Sequence, residues 1–399
     1  MYLFSLGASV LSKVESLRSL KSLLFTFHAT NTIIISFLPL YLQFKGLSGK
    51  EIGWVLAIGP LASIFSQPFW GYMSDKYKTI KRMLIICIFG LLISSVIFFQ
   101  MNGFLTIFLV GAIFYFFSSP VGALSDSLAQ RRADELQISF GTIRTWGSIG
   151  FAFSALVVGS ILSFTHISNM GFIYIIFGLI MLIIALRITD VKVDSEPIQI
   201  KDINRLITNK SLIIFLILMM LITITHRAND SFIGLYISEL GGAEGLVGIA
   251  WFIGLVSEAI VFATARYWFR KYHALTFIII ASIIYTFRWF LFAAMDVPMY
   301  IIIMQILHGV TFGIFYVAAF EYVTRITPKL LHSTAHLVYY SVFFGVSGII
   351  GSSVGGTIID VFGGHTLYYG MGYLALAGTI CLAIYHIFNT KKKRKNLIT

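Results

Sequence analysis

IGWVLAIGPLASIFSQPFWGYMSDKYK, residues 52–78, aligns without a gap to VGIAWFIGLVSEAIVFATARYWFRKYH, residues 247–273. Gly53 meets Gly248, Gly59 meets Gly254, and Lys76 and Tyr77 meet Lys271 and Tyr272. Each copy runs through about 20 mostly apolar residues, the length of a helix that crosses a bilayer, and closes on basic ones. A spanning helix repeated half a chain away implies two parallel repeats related by an axis along the membrane normal, with polar residues drawn from both halves.

The surrounding chain agrees. Of its 399 residues, 58% are hydrophobic and 12% charged, against about a quarter charged in soluble domains. Apolar segments fall at 20–43, 50–73, 82–101, 104–127, 138–163, 169–189, 211–238, 245–268, 274–295, 299–322, 333–358 and 366–389. None alternates polar and apolar residues as barrel strands do. The expected fold is therefore an all-α membrane protein of twelve transmembrane helices in two pseudo-symmetric six-helix bundles, at 1–189 and 211–390. A charged linker, DVKVDSEPIQIKDINRLITNK at 190–210, separates them, and a basic tail follows at 391–399.

Charge sets the orientation. Of 29 Lys and Arg, 24 lie in the N-terminus, the loops after even-numbered spans, the linker and the tail. That bias predicts a cell-membrane protein with both termini cytoplasmic. It reads the +12 net charge as topology, with no nucleic-acid partner. The basic N-terminus precedes a full-length span with no short apolar core and cleavage site, so no cleavable signal is expected. Cys87 and Cys381 sit in apolar spans and read as packing residues. Neither a Walker loop nor a metal-ligand cluster is seen, and no cofactor is expected.

Charges inside spans point to function. Arg144, in FGTIRTWGSIGF (140–151), carries an insertion cost of roughly 2.5 to 3.5 kcal/mol, so it must face a partner or a wet cavity. Asp126, in PVGALSDS, is the natural counter-ion, or else a helix-end carboxylate in water. Arg288 in span 9 poses the same problem as Arg144. Trp146 and Trp289 neighbour the two arginines, either lining a cavity or packing on lipid. Glu258, mid-span, fits a proton carrier, with a structural bond to Arg288 as the plainer reading. His308 is either a proton-exchanging group or a neutral hydrogen-bonding one. In span 7, Arg227 and Asp230 share a helical face and can neutralise one another, or Asp230 and His226 serve transport. His28, Asn31 and Gln67 are further cavity candidates, and Glu321 with Arg325 reads as a helix-end pair.

Gly71, Asp75 and Lys76, in GYMSDKYKTIKR (71–82), resemble the loop motif of the major facilitator superfamily, which implies a cytoplasmic gate at these three residues. Lys78 departs from that motif where it usually has Gly. The second copy is degenerate, with Arg266 and Arg270 at the Gly and Asp places. FGTIRTWGSIGF, SIIYTFRWFLFA (282–293) and QILHGVTFG (305–313) resemble the branch of lactose permease, phenylpropionate permeases and nucleoside proton symporters. The resemblance implies that Arg144 binds substrate and that Arg288 and His308 act in substrate binding or proton coupling. Two departures bear on substrate. Phe151 stands at the place of a sugar-stacking tryptophan, and Thr311 at that of a span 10 glutamate.

The expectation is a secondary transporter, not an enzyme, working as a monomer in the lipid bilayer by alternating access between the two bundles. Its first form is proton-coupled symport of a small organic solute: a sugar or glycoside, an aromatic acid or a nucleoside. Arg144, Asp126, Phe151, Trp146 and Arg288 are its substrate-binding candidates. Glu258, His308, Arg288, Asp230 and His226 are its proton-coupling candidates. Proton-driven efflux of drugs or metabolites is the alternative, and a non-transporting sensor a further one.

Overall fold

The chain in a computed structural model is described over residues 2–191, 208–268, 273–328 and 331–398, and the described residues are helices joined by short turns, without a strand. The first six helices are α1 (Tyr2–Phe44), α2 (Gly49–Lys76), α3 (Ile80–Gln100), α4 (Phe104–Leu136), α5 (Phe140–Thr165) and α6 (Met170–Arg187). Then come α7 (Lys210–Glu239), α8 (Glu244–Trp268), α9 (Ala274–Ala293) and α10 (Pro298–Ile326). A last apolar run, Ala335–Phe388, is 54 residues long, more than twice what a span requires. It breaks at Gly363, where φ is +78°, into α11 (335–362) and α12 (364–388). Among the described residues, eleven helices are thus long and apolar enough to cross a membrane, and this break makes two spans of the last.

Most of the linker, 192–207, lies outside the described residues, as do the side chains of the 391–399 tail and of Arg266 and Arg270. The described contacts form two compact units. One holds α1, α2 from Leu61 onward and α3–α6; the other holds Ser48–Pro60 and α7–α12. The sequence division kept all of α2 in the first half. Small residues explain why its first turns pack with the second unit. A Cβ on Gly53 would fall 3.0 Å from the Gly356 Cα, and the Gly49 amide donates to Asp360 Oδ1 at 3.0 Å.

Helix ends follow local chemistry. The first turn of a helix leaves amides without partners. Thr79 Oγ1 accepts from the Arg82 amide of α3 at 3.2 Å, and Asn209 Oδ1 accepts from the Leu212 amide of α7 at 3.2 Å. Between α2 and α3, the Lys78 amide donates to the Asp75 carbonyl and the Thr79 amide to the Ser74 carbonyl. That closing turn requires φ +50° at Lys78. A left-handed backbone costs a side-chain-bearing residue about 1 kcal/mol, which is why the loop motif usually carries Gly there. Lys78→Gly is expected to raise the thermal midpoint in detergent by about 2 °C. A midpoint unchanged or lowered would show that Lys78 holds the turn through its side chain instead.

Candidate functional site

In the first unit the site is made by a close approach of α5 to α1. A Cβ on Gly150 would fall 2.8 Å from the Phe25 carbonyl carbon, so only glycine lets the backbones meet. Ser154 Oγ then donates to the Ala29 carbonyl at 2.7 Å, and Thr32 Oγ1 to the Phe151 carbonyl at 3.4 Å. This seam carries Arg144 to the face of α1 that bears His28. A Cβ on Gly147 would lie 2.7 Å from Arg144 Nη1 and 2.9 Å from His28 Nε2, so both atoms wall one hollow.

From α4, Asp126 brings Oδ1 to 3.4 Å from Arg144 Nε, the two side chains being 39 % and 35 % exposed. The contact is ionic; Asp126 Oδ1 and His28 Nε2 are both buried without a hydrogen-bond partner among the described residues. Trp146, two residues beyond Arg144, is 41 % exposed, as expected of positions that do not share a helical face. Phe151 enters the seam through its carbonyl. Gln67 Nε2 donates to the Ser119 carbonyl at 3.3 Å.

The second unit holds a larger buried polar cluster. Gly309 of α10 abuts α8: its amide donates to Ser257 Oγ at 2.8 Å, and a Cβ there would fall 2.7 Å from the Glu258 amide nitrogen. This approach sets His308 Nε2 3.6 Å from Glu258 Oε2. His226, on α7, is 3% exposed. Its Nδ1 pairs with the Tyr285 hydroxyl at 3.0 Å and its Nε2 lies 3.5 Å from Asp230 Oδ2. The same oxygen accepts from Arg227 Nη1 at 2.7 Å. The two histidine rings are 5.5 Å apart, and Phe312 stacks on His226 at 4.7 Å. Two carboxylates thus each face a histidine, and the histidines face each other.

Arg288 is fully buried. It donates to Thr311 Oγ1 at 2.9 Å and to Gln305 Oε1, and lies over the Trp289 and Phe292 rings at 4.8 and 5.1 Å. Its hydrogen bonds run to neutral oxygens, whereas Glu258 meets His308; the bond between Arg288 and Glu258 read as the plainer role is not among the described ion pairs. Trp289 turns from lipid to the Thr225 hydroxyl, to which its Nε1 donates at 2.8 Å. Gly309–Gly313 and Ser341–Val346 are π-helical, a widening frequent at functional sites. The first brings Thr311 to Arg288, and the second places Phe343 5.8 Å from His226.

Gln305 and Tyr285 escaped the sequence reading. Gln305 had a signal: it is a polar residue in an apolar span, one turn before His308. Tyr285 had none, since aromatic residues fill every span. At the end of α2, nothing lies within 4 Å of a Cβ on Gly71, and the Lys76 ammonium lies over the Tyr77 ring at 5.6 Å. Glu321 pairs with Arg325 at 2.8 Å as a helix-end pair.

The chain matches known proteins along most of its length. The model of the MFS_1 like family matches residues 17–370. The chain is 30% identical to the uncharacterized transporter YwbF of Bacillus subtilis over 89% of both proteins. It is 27% identical to the maltose permease of Geobacillus stearothermophilus over 87% of this chain and 89% of the permease. The crystal structure of the nucleoside transporter NupG superposes with a TM-score of 0.84 at 18% identity, covering 92% of this chain and 98% of that one.

Proposed function

We propose, from the premise that this chain belongs to the MFS_1 like family, that it is a proton-coupled symporter taking up a small organic solute by alternating access. The family and its relatives make it a multi-pass membrane transporter rather than an enzyme. The relatives' names cover maltose, sucrose, 3-phenylpropionic acid and nucleosides, so the solute comes from sugars, aromatic acids or nucleosides. Both termini are placed in the cytoplasm on the charge bias.

One observation carries the coupling: Glu258 and Asp230 face His308 and His226, whose rings are 5.5 Å apart. Histidine exchanges protons near neutral pH, and a carboxylate inside a membrane is costly enough to mark a proton or ion path. In this reading Glu258 takes the proton, with His308, His226 and Asp230 as its relay and Arg288 as a buried charge that holds Gln305 and Thr311 in place. Arg144 and Asp126 grip the solute in the first unit.

The test is uptake into proteoliposomes under an imposed inward proton gradient, with maltose, uridine and 3-phenylpropionate as probes. Wild-type protein is expected to accumulate one of them and to alkalinise the outside medium as it does. Glu258→Gln is expected to lose accumulation while keeping exchange of labelled for unlabelled probe. Full accumulation by Glu258→Gln removes that residue from the coupling role. Solute entry that drives protons outward makes the protein an antiporter, and binding with no flux of any probe makes it a sensor.

A further inference from the structure

The proposed solute grip leaves one group unexplained. His28 Nε2 is buried without a partner among the described residues, although polar atoms inside proteins are nearly always bonded. It shares the hollow over Gly147 with the Arg144 guanidinium and lies within its electrostatic reach. Arg144 in turn is held loosely. It meets Asp126 through Nε alone, at 3.4 Å and outside hydrogen-bond geometry, so a fork of five donors stands between two unspent acceptors, an imidazole nitrogen and a carboxylate oxygen.

We propose that His28 is a positioning residue that aims Arg144: with its own proton on Nδ1, its Nε2 accepts one guanidinium N–H after a small rotation from the arrangement seen here, before the solute arrives, turning the remaining donors toward the solute. This rests on the reading of Arg144 as the solute-gripping residue. Its physical basis is preorganisation. An arginine free to rotate loses side-chain freedom on binding, and an arginine already seated on an acceptor loses less. The seat also decides which solutes gain. An N–H seated on His28 leaves the other guanidinium N–H groups for the oxygen-rich edge of a solute, whether hydroxyls or a carboxylate.

The small space over Gly147 is part of the device. Any side chain there would sit between His28 and Arg144, so glycine keeps the two within reach. A histidine in a helix interface is ordinarily a packing residue, and packing is what the test must separate from acceptance. His28→Phe fills the same space with no acceptor, whereas His28→Gln offers an oxygen acceptor of similar reach.

Binding of maltose, uridine and 3-phenylpropionate is measured by thermal shift of the purified protein. For the probe that wild-type protein binds, His28→Phe is expected to weaken apparent affinity about tenfold and His28→Gln to recover most of it, with similar midpoints for the unliganded proteins. A second measurement needs no solute: phenylglyoxal, which labels guanidinium groups, is followed at Arg144 by mass spectrometry. His28→Phe is expected to speed that labelling about threefold, and His28→Gln to leave it near the wild-type rate. The proposal is overturned if His28→Phe keeps wild-type affinity or wild-type labelling, or if His28→Gln behaves as Phe does. Neither readout measures proton movement, so a failed symport assay leaves this result distinct.

Discussion

Gly309→Val is expected to abolish proton-driven accumulation and to lower the thermal midpoint by several degrees. A Cβ at this position would overlap the Ser257 carbonyl and come within 2.7 Å of the Glu258 amide nitrogen. The obstruction is backbone, which cannot rotate away as a side-chain end does. Overpacking a filled interface costs about 1 to 3 kcal/mol, and two helix backbones in contact put this case at the upper end, about 3 kcal/mol. Forcing α10 from α8 also breaks the Gly309 amide bond to Ser257 Oγ and widens the 3.6 Å between His308 and Glu258. Gly345→Ala is the control, because nothing lies within 4 Å of a Cβ there. Its stability is expected to stay within about 0.5 kcal/mol of wild type. If Gly309→Val transports normally, the close approach of α8 and α10 is not what holds the coupling pair together.

That glycine also shows what a sequence can and cannot disclose. The twelve spans and the two halves are read from apolar length, the placement of basic residues and a repeat, and the resemblance to the family from the motif at 71–82 and the stretches around Arg144, Arg288 and His308, all of which lie along the chain. Pairs within one helix are equally legible: Arg227 and Asp230 are three residues apart, and the structure has them bonded. Partners on different helices depend on which faces meet, and that depends on where glycine allows two backbones to touch. Gly150 and Gly309 do this, but nothing local separates them from Gly345, where an added Cβ would meet nothing within 4 Å. A bond from Glu258 to Arg288, the plainer alternative to a proton carrier, is reasonable by charge. Among the described residues Glu258 instead meets His308, because Gly309 brings the middle of α10 against Ser257 and Glu258, while the π-helical turn that starts there hands Thr311 to Arg288.

Asp230→Asn is expected to stop transport and to destabilise the protein by about 2 kcal/mol. One carboxylate oxygen serves two groups, Arg227 Nη1 at 2.7 Å and His226 Nε2 at 3.5 Å. Removing one partner of a buried ion pair costs about 3 to 5 kcal/mol because the other charge is left uncompensated. Arg227 is 24 % exposed, so water recovers part of that and the lower figure follows. Replacing both partners is a different matter, since a neutral pair leaves no charge stranded. Asp230→Asn with Arg227→Gln is therefore expected to return stability to within about 1 kcal/mol of wild type. Transport need not return with it, and this separates the two roles that a shared helical face left open. If accumulation recovers with stability, Asp230 is only the counter-ion of Arg227. If stability recovers and accumulation stays lost, the carboxylate beside His226 is needed for its own proton chemistry, as the relay from Glu258 requires.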